Sequence, residues 1–170
     1  VLVAYDNILD TEEAINVNVD QKGLGKYWAE WLVKHVPNGG KVLEVRGVSG
    51  TSVDRDRHDG IHEVFKASGK KWDITAQGGD TGVVQAMIDA KHPFVPFGGE
   101  TENGFRKFCA KYAGQGLKCA SAGTGPAQVA VAMKVAIAAL EGKVLPQAIK
   151  LPLAKAEHPN LKDGQDFYEK

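Results

Sequence analysis

The chain has little sulfur: its 170 residues include two cysteines and two methionines. Two cysteines, Cys109 and Cys119, exclude a disulfide-dense scaffold, and they show none of the spacings of a zinc site. An excess of charge of one sign is also missing. Lys+Arg and Asp+Glu each number 21, so no net field draws the chain toward nucleic acid or an anionic membrane. Long apolar runs are missing too. The longest apolar helix candidate, Ala127 to Leu140, is too short to cross a bilayer and contains Lys134, so no direct membrane insertion is expected. Val1-Leu2-Val3-Ala4-Tyr5 is strand-sized and lacks a basic flank, so no signal peptide is visible. The chain opens without Met inside what reads as a strand, and further chain ahead of it is expected.

What is present is ordinary globular material, 43% hydrophobic and 25% charged, ample for a core. Strands and helices alternate with short glycine-rich joints. The spacing predicts strands over Val1–Tyr5, Ala14–Val19, Lys41–Arg46, Trp72–Ala76, Phe94–Phe97 and Leu117–Ala122. Between them, helices are predicted through Leu24–His35, from about Ser52, through Val83–Ile88, and over Phe105–Tyr112. Pro126 opens a last helix that Gly142 stops. That helix is apolar on nearly every side, which predicts a deeply covered position. Val144–Leu153 reads as extended, with Pro146 and Pro152 placing it at an edge, and the polar tail reads as loop. This alternation predicts an α/β fold: three layers, with a mostly parallel sheet covered on both faces by helices. Loops at the strands' carboxyl ends then gather along one edge, where α/β proteins bind ligands.

The richest of these joints is Val42-Leu43-Glu44-Val45-Arg46-Gly47-Val48-Ser49-Gly50-Thr51-Ser52, a strand breaking into a small-residue loop before a helix. Loop amides and a helix N-terminus there are free to meet a polar ligand, and Arg55 in the first turn carries a rigid fork of donors. Phosphate chemistry is disfavoured: the loop lacks the Lys-Ser/Thr ending of a P-loop, and no GxGxxG follows a strand. No GxSxG elbow marks a nucleophile, so no catalytic residue is assigned. Asp54, His58 and His62 share a helical face at i, i+4 steps, a spacing able to hold a divalent ion. With no further committed ligand in the sequence, no metal site is expected. Trp28 and Trp31, on one amphipathic helix, read as core rather than as a sugar platform. Cys109 and Cys119 fall on neighbouring elements. Paired and free thiols both stay open, and pairing requires an oxidising compartment.

Gly47-Val48-Ser49-Gly50-Thr51-Ser52-Val53-Asp54-Arg55-Asp56-Arg57-His58-Asp59-Gly60 resembles the GxxGTxxxxxRxxG segment of type I periplasmic sugar-binding proteins, the ribose-binding class of ABC importer receptors. Leu2-Val3-Ala4-Tyr5-Asp6-Asn7, Asn18-Val19-Asp20-Gln21 and Ala76-Gln77-Gly78-Gly79-Asp80 resemble further segments of that family in order. The resemblance implies a flavodoxin-like lobe of a receptor that closes on a sugar or polyol without turnover and needs no cofactor. By its motifs Arg55, Asp6, Asn7, Gln21 and Asp80 are the implied ligand residues, and Glu100 is a candidate substitute for an aspartate. Phe97-Gly98-Gly99 stands where the family has Phe-Asp-Gly, and Gly123-Thr124-Gly125 stands where it has a glutamine-bearing hinge. The implied organisation is a crossover strand and linker over 1–13, a ligand-binding lobe over 14–154 and a polar tail over 155–170. The resemblance implies that most of the first lobe lies outside this chain and that a helix-plus-strand unit is missing at Ile74–Thr75, where Trp72-Asp73-Ile74 resembles the start of one strand and Thr75-Ala76-Gln77 the end of the next. The implied setting is the periplasm, with ABC importer membrane subunits as partners and a homodimer through the uncovered lobe face. The other readings are the effector-binding core of a transcriptional repressor sharing this fold, and an engineered or flavodoxin-like scaffold.

Overall fold

The computed structural model describes residues 1–78 and 81–169, without the side chains of 75–78 and 81. Eight strands and five α-helices follow in chain order: β1 Leu2–Tyr5, β2 Ala14–Val19, α1 Gln21–His35, β3 Gly40–Arg46, α2 Ser52–Ala67, β4 Trp72–Gly78, α3 Thr81–Asp89, β5 Phe97–Gly99, α4 Asn103–Tyr112, β6 Cys119–Gly123, α5 Ala127–Leu140, β7 Ala148–Leu151 and β8 Ala154–Glu157. The mixed α/β fold has mostly parallel pairing, as the alternation implies. Hydrogen bonding divides the strands into three sheets rather than one: β1-β2-β7, β3-β4 and β5-β6-β8. Among the described residues, β6 with β8 is the one antiparallel pair. β4 is continuous through Ile74–Thr75, pairing Val42 with Ile74 and Leu43 with Thr75.

Local chemistry accounts for the helix starts. Asp20 caps α1 by accepting from the Gly23 amide, and Thr51 caps α2 by accepting from the Asp54 amide. α1 lies closely on α2. A Cβ at Gly25 would overlap the Arg57 carbonyl, and one at Gly60 would overlap the Lys22 carbonyl, so only glycine permits this approach. Two apolar cores are distinct. One joins Val84, Met87, Phe105, Cys109, Leu117 and Cys119, with Cys109 and Cys119 bonded as a disulfide. The other joins Val17 to Ala132 and Val135.

Three expectations are corrected. α5 is not deeply covered: Ala132 and Val135 alone are buried, while Val129, Met133, Ile137 and Leu140 are exposed. These four recur at steps of four, four and three, so the helix turns one apolar stripe to the core and another outward. The tail from residue 155 is not a loose loop. β8 pairs with β6, the Tyr27 hydroxyl donates to Glu157 at 2.6 Å, Arg106 donates to the Asp166 carbonyl at 2.9 Å, and Phe167 is buried. The extended run predicted over Val144–Leu153 is β7 alone, and β8 begins only after Pro152.

Candidate functional site

A cavity of about 500 Å³ lies where the sheets separate, walled by α1, β3, α2 and β5. Its size falls within the roughly 300–1,000 Å³ usual for small-molecule sites. Among the described residues, β3 and β5 each have no strand partner on the side away from their sheet neighbours. The cavity wall combines Trp28, Phe65 and Phe97 with Glu44, Asp54 and Arg57. Trp31 is core, stacked on His35 with ring centroids 4.0 Å apart. Trp28 is not wholly core, because its indole helps to wall the cavity. β5 reaches that indole through Gly98, whose added Cβ would stand 3.2 Å from the Trp28 side chain.

The charged wall is organised around Arg57, one residue into the second turn of α2. Its Nε donates to Gln21 Oε1 at 2.7 Å, and its Nη1 pairs with Glu100. Its guanidinium lies 5.6 Å from the centre of the Trp28 ring, within cation–π range. Gln21, buried, donates to Asn18 Oδ1 at 3.0 Å and to Asp6 Oδ1 at 3.5 Å. A chain of polar contacts therefore runs Asp6–Gln21–Arg57–Glu100, and three of its members were singled out in the sequence. Asp6 has φ 67°, a left-handed conformation that aspartate tolerates better than most residues. Next to it, Asn7 Oδ1 accepts from Ser52 Oγ and from the Val53 amide, each at 3.4 Å, at the start of α2.

Arg55 stands apart from this chain. It is largely exposed, pairs with Asp56 at 3.0 Å and does not line the cavity. Two residues along an α-helix turn about 200°, so Arg55 and Arg57 face nearly opposite ways. Asp80 lies outside the described residues. Arg57 was missed although it sits inside the quoted motif; the signal that finds it is its helical phase with Gly60 and Ile61, on the side turned toward α1.

A second polar cluster lines the same wall. Arg46 holds Asp54 through two bonds, Nε to Oδ1 at 2.8 Å and Nη2 to Oδ2 at 2.6 Å, and the Gly47 amide donates to the same carboxylate at 2.8 Å. The hydrogen bonds from Arg46 hold the Asp54 carboxyl below its ordinary range, against the opposing effect of burial. Buried Glu44 faces His58 and His62 of α2.

This mixed α/β architecture is that of a periplasmic binding protein lobe. The sequence profile of the periplasmic binding protein domain family matches residues 1–91, and the chain belongs to that family. Among solved structures, a Caulobacter myo-inositol binding protein bound to myo-inositol is 18% identical, with a TM-score of 0.77 over 93% of this chain and 66% of that one. A galactofuranose binding protein is also 18% identical, with a TM-score of 0.76 over 91% of this chain and 66% of that one. The binding component of the arabinose ABC transporter from Shewanella sp. ANA-3, bound to L-arabinofuranose, is 16% identical, with a TM-score of 0.75 over 90% and 64%. The chain thus spans about two thirds of the length of these structures. No curated protein matches the sequence. Among the described residues, no helix is long and apolar enough to cross a membrane.

Proposed function

We propose that this chain is part of a receptor that captures a sugar or polyol-like ligand without chemical turnover, in a cleft between two lobes. Its setting in this reading is extracytoplasmic, delivering ligand to the membrane subunits of an ABC importer. The observation that carries the reading is the Asp6–Gln21–Arg57–Glu100 chain beside an aromatic-walled cavity. Vicinal hydroxyls each donate and accept, so they are matched by a carboxylate next to a guanidinium, with an indole for the ring's C–H face. In this reading Glu100 and Asp6 accept from hydroxyls, while Arg57 donates to hydroxyl or ring oxygens. Asn7, whose side chain meets the start of α2, adds an amide to these contacts in this reading. The galactofuranose, myo-inositol and arabinose binding proteins that share this fold support a ligand of this class. The transcriptional-repressor reading draws no support from these matches.

Calorimetry of the chain against pentoses, hexoses and inositols tests the proposal. Affinity is expected to be weak, because a ligand held by one lobe keeps much of its surface wet. Saturable binding of at least one of these compounds, lost in Arg57→Ala, supports the reading. Binding by none at about 10 mM (a cost-free contact worth under about 3 kcal/mol) overturns it. A homodimer through the uncovered lobe face is part of this reading, and a strictly monomeric species in sedimentation would exclude it.

A further inference from the structure

Glu44, His58 and His62 come together from two elements beside the cavity, whose wall includes Glu44 and His58. His58 Nδ1 lies 2.9 Å and 3.1 Å from the two Glu44 oxygens, and His62 Nε2 lies 3.1 Å from Glu44 Oε2. One ligand atom from each of the three residues can be chosen so that all lie within 4.8 Å of one another. The imidazole rings stand one helical turn apart, with centroids 4.0 Å apart. Helical phase accounts for the two histidines, and the short strand-to-helix connection brings β3 beneath them.

We propose that Glu44, His58 and His62 form a binding site for a borderline divalent transition-metal cation, of which Zn²⁺ is the type. Two imidazole nitrogens and one carboxylate oxygen are a ligand set for such ions, whereas Mg²⁺ and Ca²⁺ take oxygen. Zinc–ligand bonds of about 2.0–2.1 Å put tetrahedral ligand atoms roughly 3.3 Å apart. Glu44 Oε2 lies 3.1 Å from His58 Nδ1 and 3.1 Å from His62 Nε2, so these separations need to widen by only a few tenths of an ångström. Each neutral imidazole presents a lone pair once its N–H resides on the other ring nitrogen, so the exchange requires no net proton loss from the histidines.

The electrostatics agree. Glu44 is only 5% exposed, and a carboxylate that deep demands a partner of opposite charge. Arg46 approaches it no closer than 3.9 Å and is committed to Asp54. Glu44, Arg46 and Asp54 together carry one net negative charge, which a cation bound between the imidazoles would meet. Glu44 and His58 also face the cavity, so a fourth coordination position can hold water or an external ligand.

The test is Zn²⁺ titration of the metal-stripped chain without an affinity tag, followed by calorimetry, with Co²⁺ absorption as a second readout. One equivalent is expected to bind at micromolar concentration, with the visible Co²⁺ bands of low coordination. His62→Ala, at a partly exposed position, weakens binding at least tenfold, as does the isosteric Glu44→Gln. His92→Ala, in the exposed segment that follows α3, leaves binding unchanged. No saturable uptake below about 100 μM Zn²⁺, undiminished binding in both site variants, or equal displacement by Mg²⁺ each overturns the proposal.

Discussion

The seam between α1 and α2 and the outer face of α5 solve the packing problem in opposite ways. α1 is nearly neutral in mean hydropathy and carries two early glycines, yet it buries Leu24, Gly25, Ala29 and Trp31. α5 is almost wholly apolar, yet it buries only Ala132 and Val135. Apolar content therefore does not decide which helix is covered. Steric fit does: glycines at the crossing let backbones touch, while α5 has a partner sheet on one side only. The seam also has a functional consequence, because the Gly25 contact falls on the Arg57 backbone and so holds that guanidinium against Gln21.

The most damaging test of this contrast is a single methyl group at the seam. Gly60→Ala places Cβ into the Lys22 carbonyl, and Gly25→Ala does the same to the Arg57 carbonyl. Backbone cannot swing aside as a side chain can, so the helices must part. Each variant is expected to lose about 3 kcal/mol in urea unfolding. Gly25→Ala should also weaken any sugar binding, because it displaces Arg57. A loss below about 0.5 kcal/mol would show that the seam is loose and remove the contrast with α5.

The Cys109–Cys119 bond closes a different seam covalently, tying α4 to β6 across ten residues of chain. A short loop of this kind is worth about 2–3 kcal/mol through the unfolded state. The Cys109→Ala/Cys119→Ala pair should therefore cost slightly less than the glycine variants, and reduction of the unsubstituted chain should lower its melting temperature in the same direction. Equal stability with and without reductant would mean that the neighbouring Phe105 and Leu117 already fix this core.

Much of the fold was legible because its signals are local. The strand–loop–helix at Lys41–Ser52 and the Gly142 stop depend on residues within a few positions of one another. The gap between β3 and β5 was not legible, since a strand's sequence specifies its pleat but not which edge stays unpaired. The site divides in the same way. Asp6, Gln21 and Glu100 were implied by the resemblance of short local motifs, whereas Arg57 required knowing which side of α2 meets α1. His58 and His62 were visible as an i, i+4 pair. Their partner Glu44 lay 14 and 18 residues away on a strand, and Asp54, which sequence spacing placed with them, is taken by Arg46.

A gentler probe of the seam is its rim of charge. Glu63 of α2 meets Lys22 at 2.8 Å and Lys26 at 2.6 Å, both on α1. Hydrogen bonds from the two lysines hold its carboxyl down from 4.5 to about 2. A carboxylate depressed on folding contributes stability above its unfolded value and loses it as pH falls toward the folded one. The advantage of the unsubstituted chain over Glu63→Gln should thus shrink between about pH 4.5 and pH 2, read from urea midpoints across that range. The effect should be small and reduced by salt, since these side chains are exposed. A pH-independent difference would mean that Glu63 acts through its methylenes rather than its charge.

The smallest effect is expected where the sequence is most apolar. Met133 and Ile137 project from α5 with about 60% and 52% of their surface in water. In the isolated chain, Met133→Ser/Ile137→Ser removes almost no burial, so stability should change by no more than about 0.5 kcal/mol per site, mainly through helix propensity. Concentration-dependent melting isolates the remaining possibility, because a surface that buries itself between copies stabilises more as protein is added. If the unsubstituted chain melts higher at higher concentration and the double variant does not, the outward stripe is an interface and the two helices differ only in where their partner comes from. If both melt independently of concentration, α5 remains half covered in solution and the contrast with the α1–α2 seam is intrinsic to the monomer.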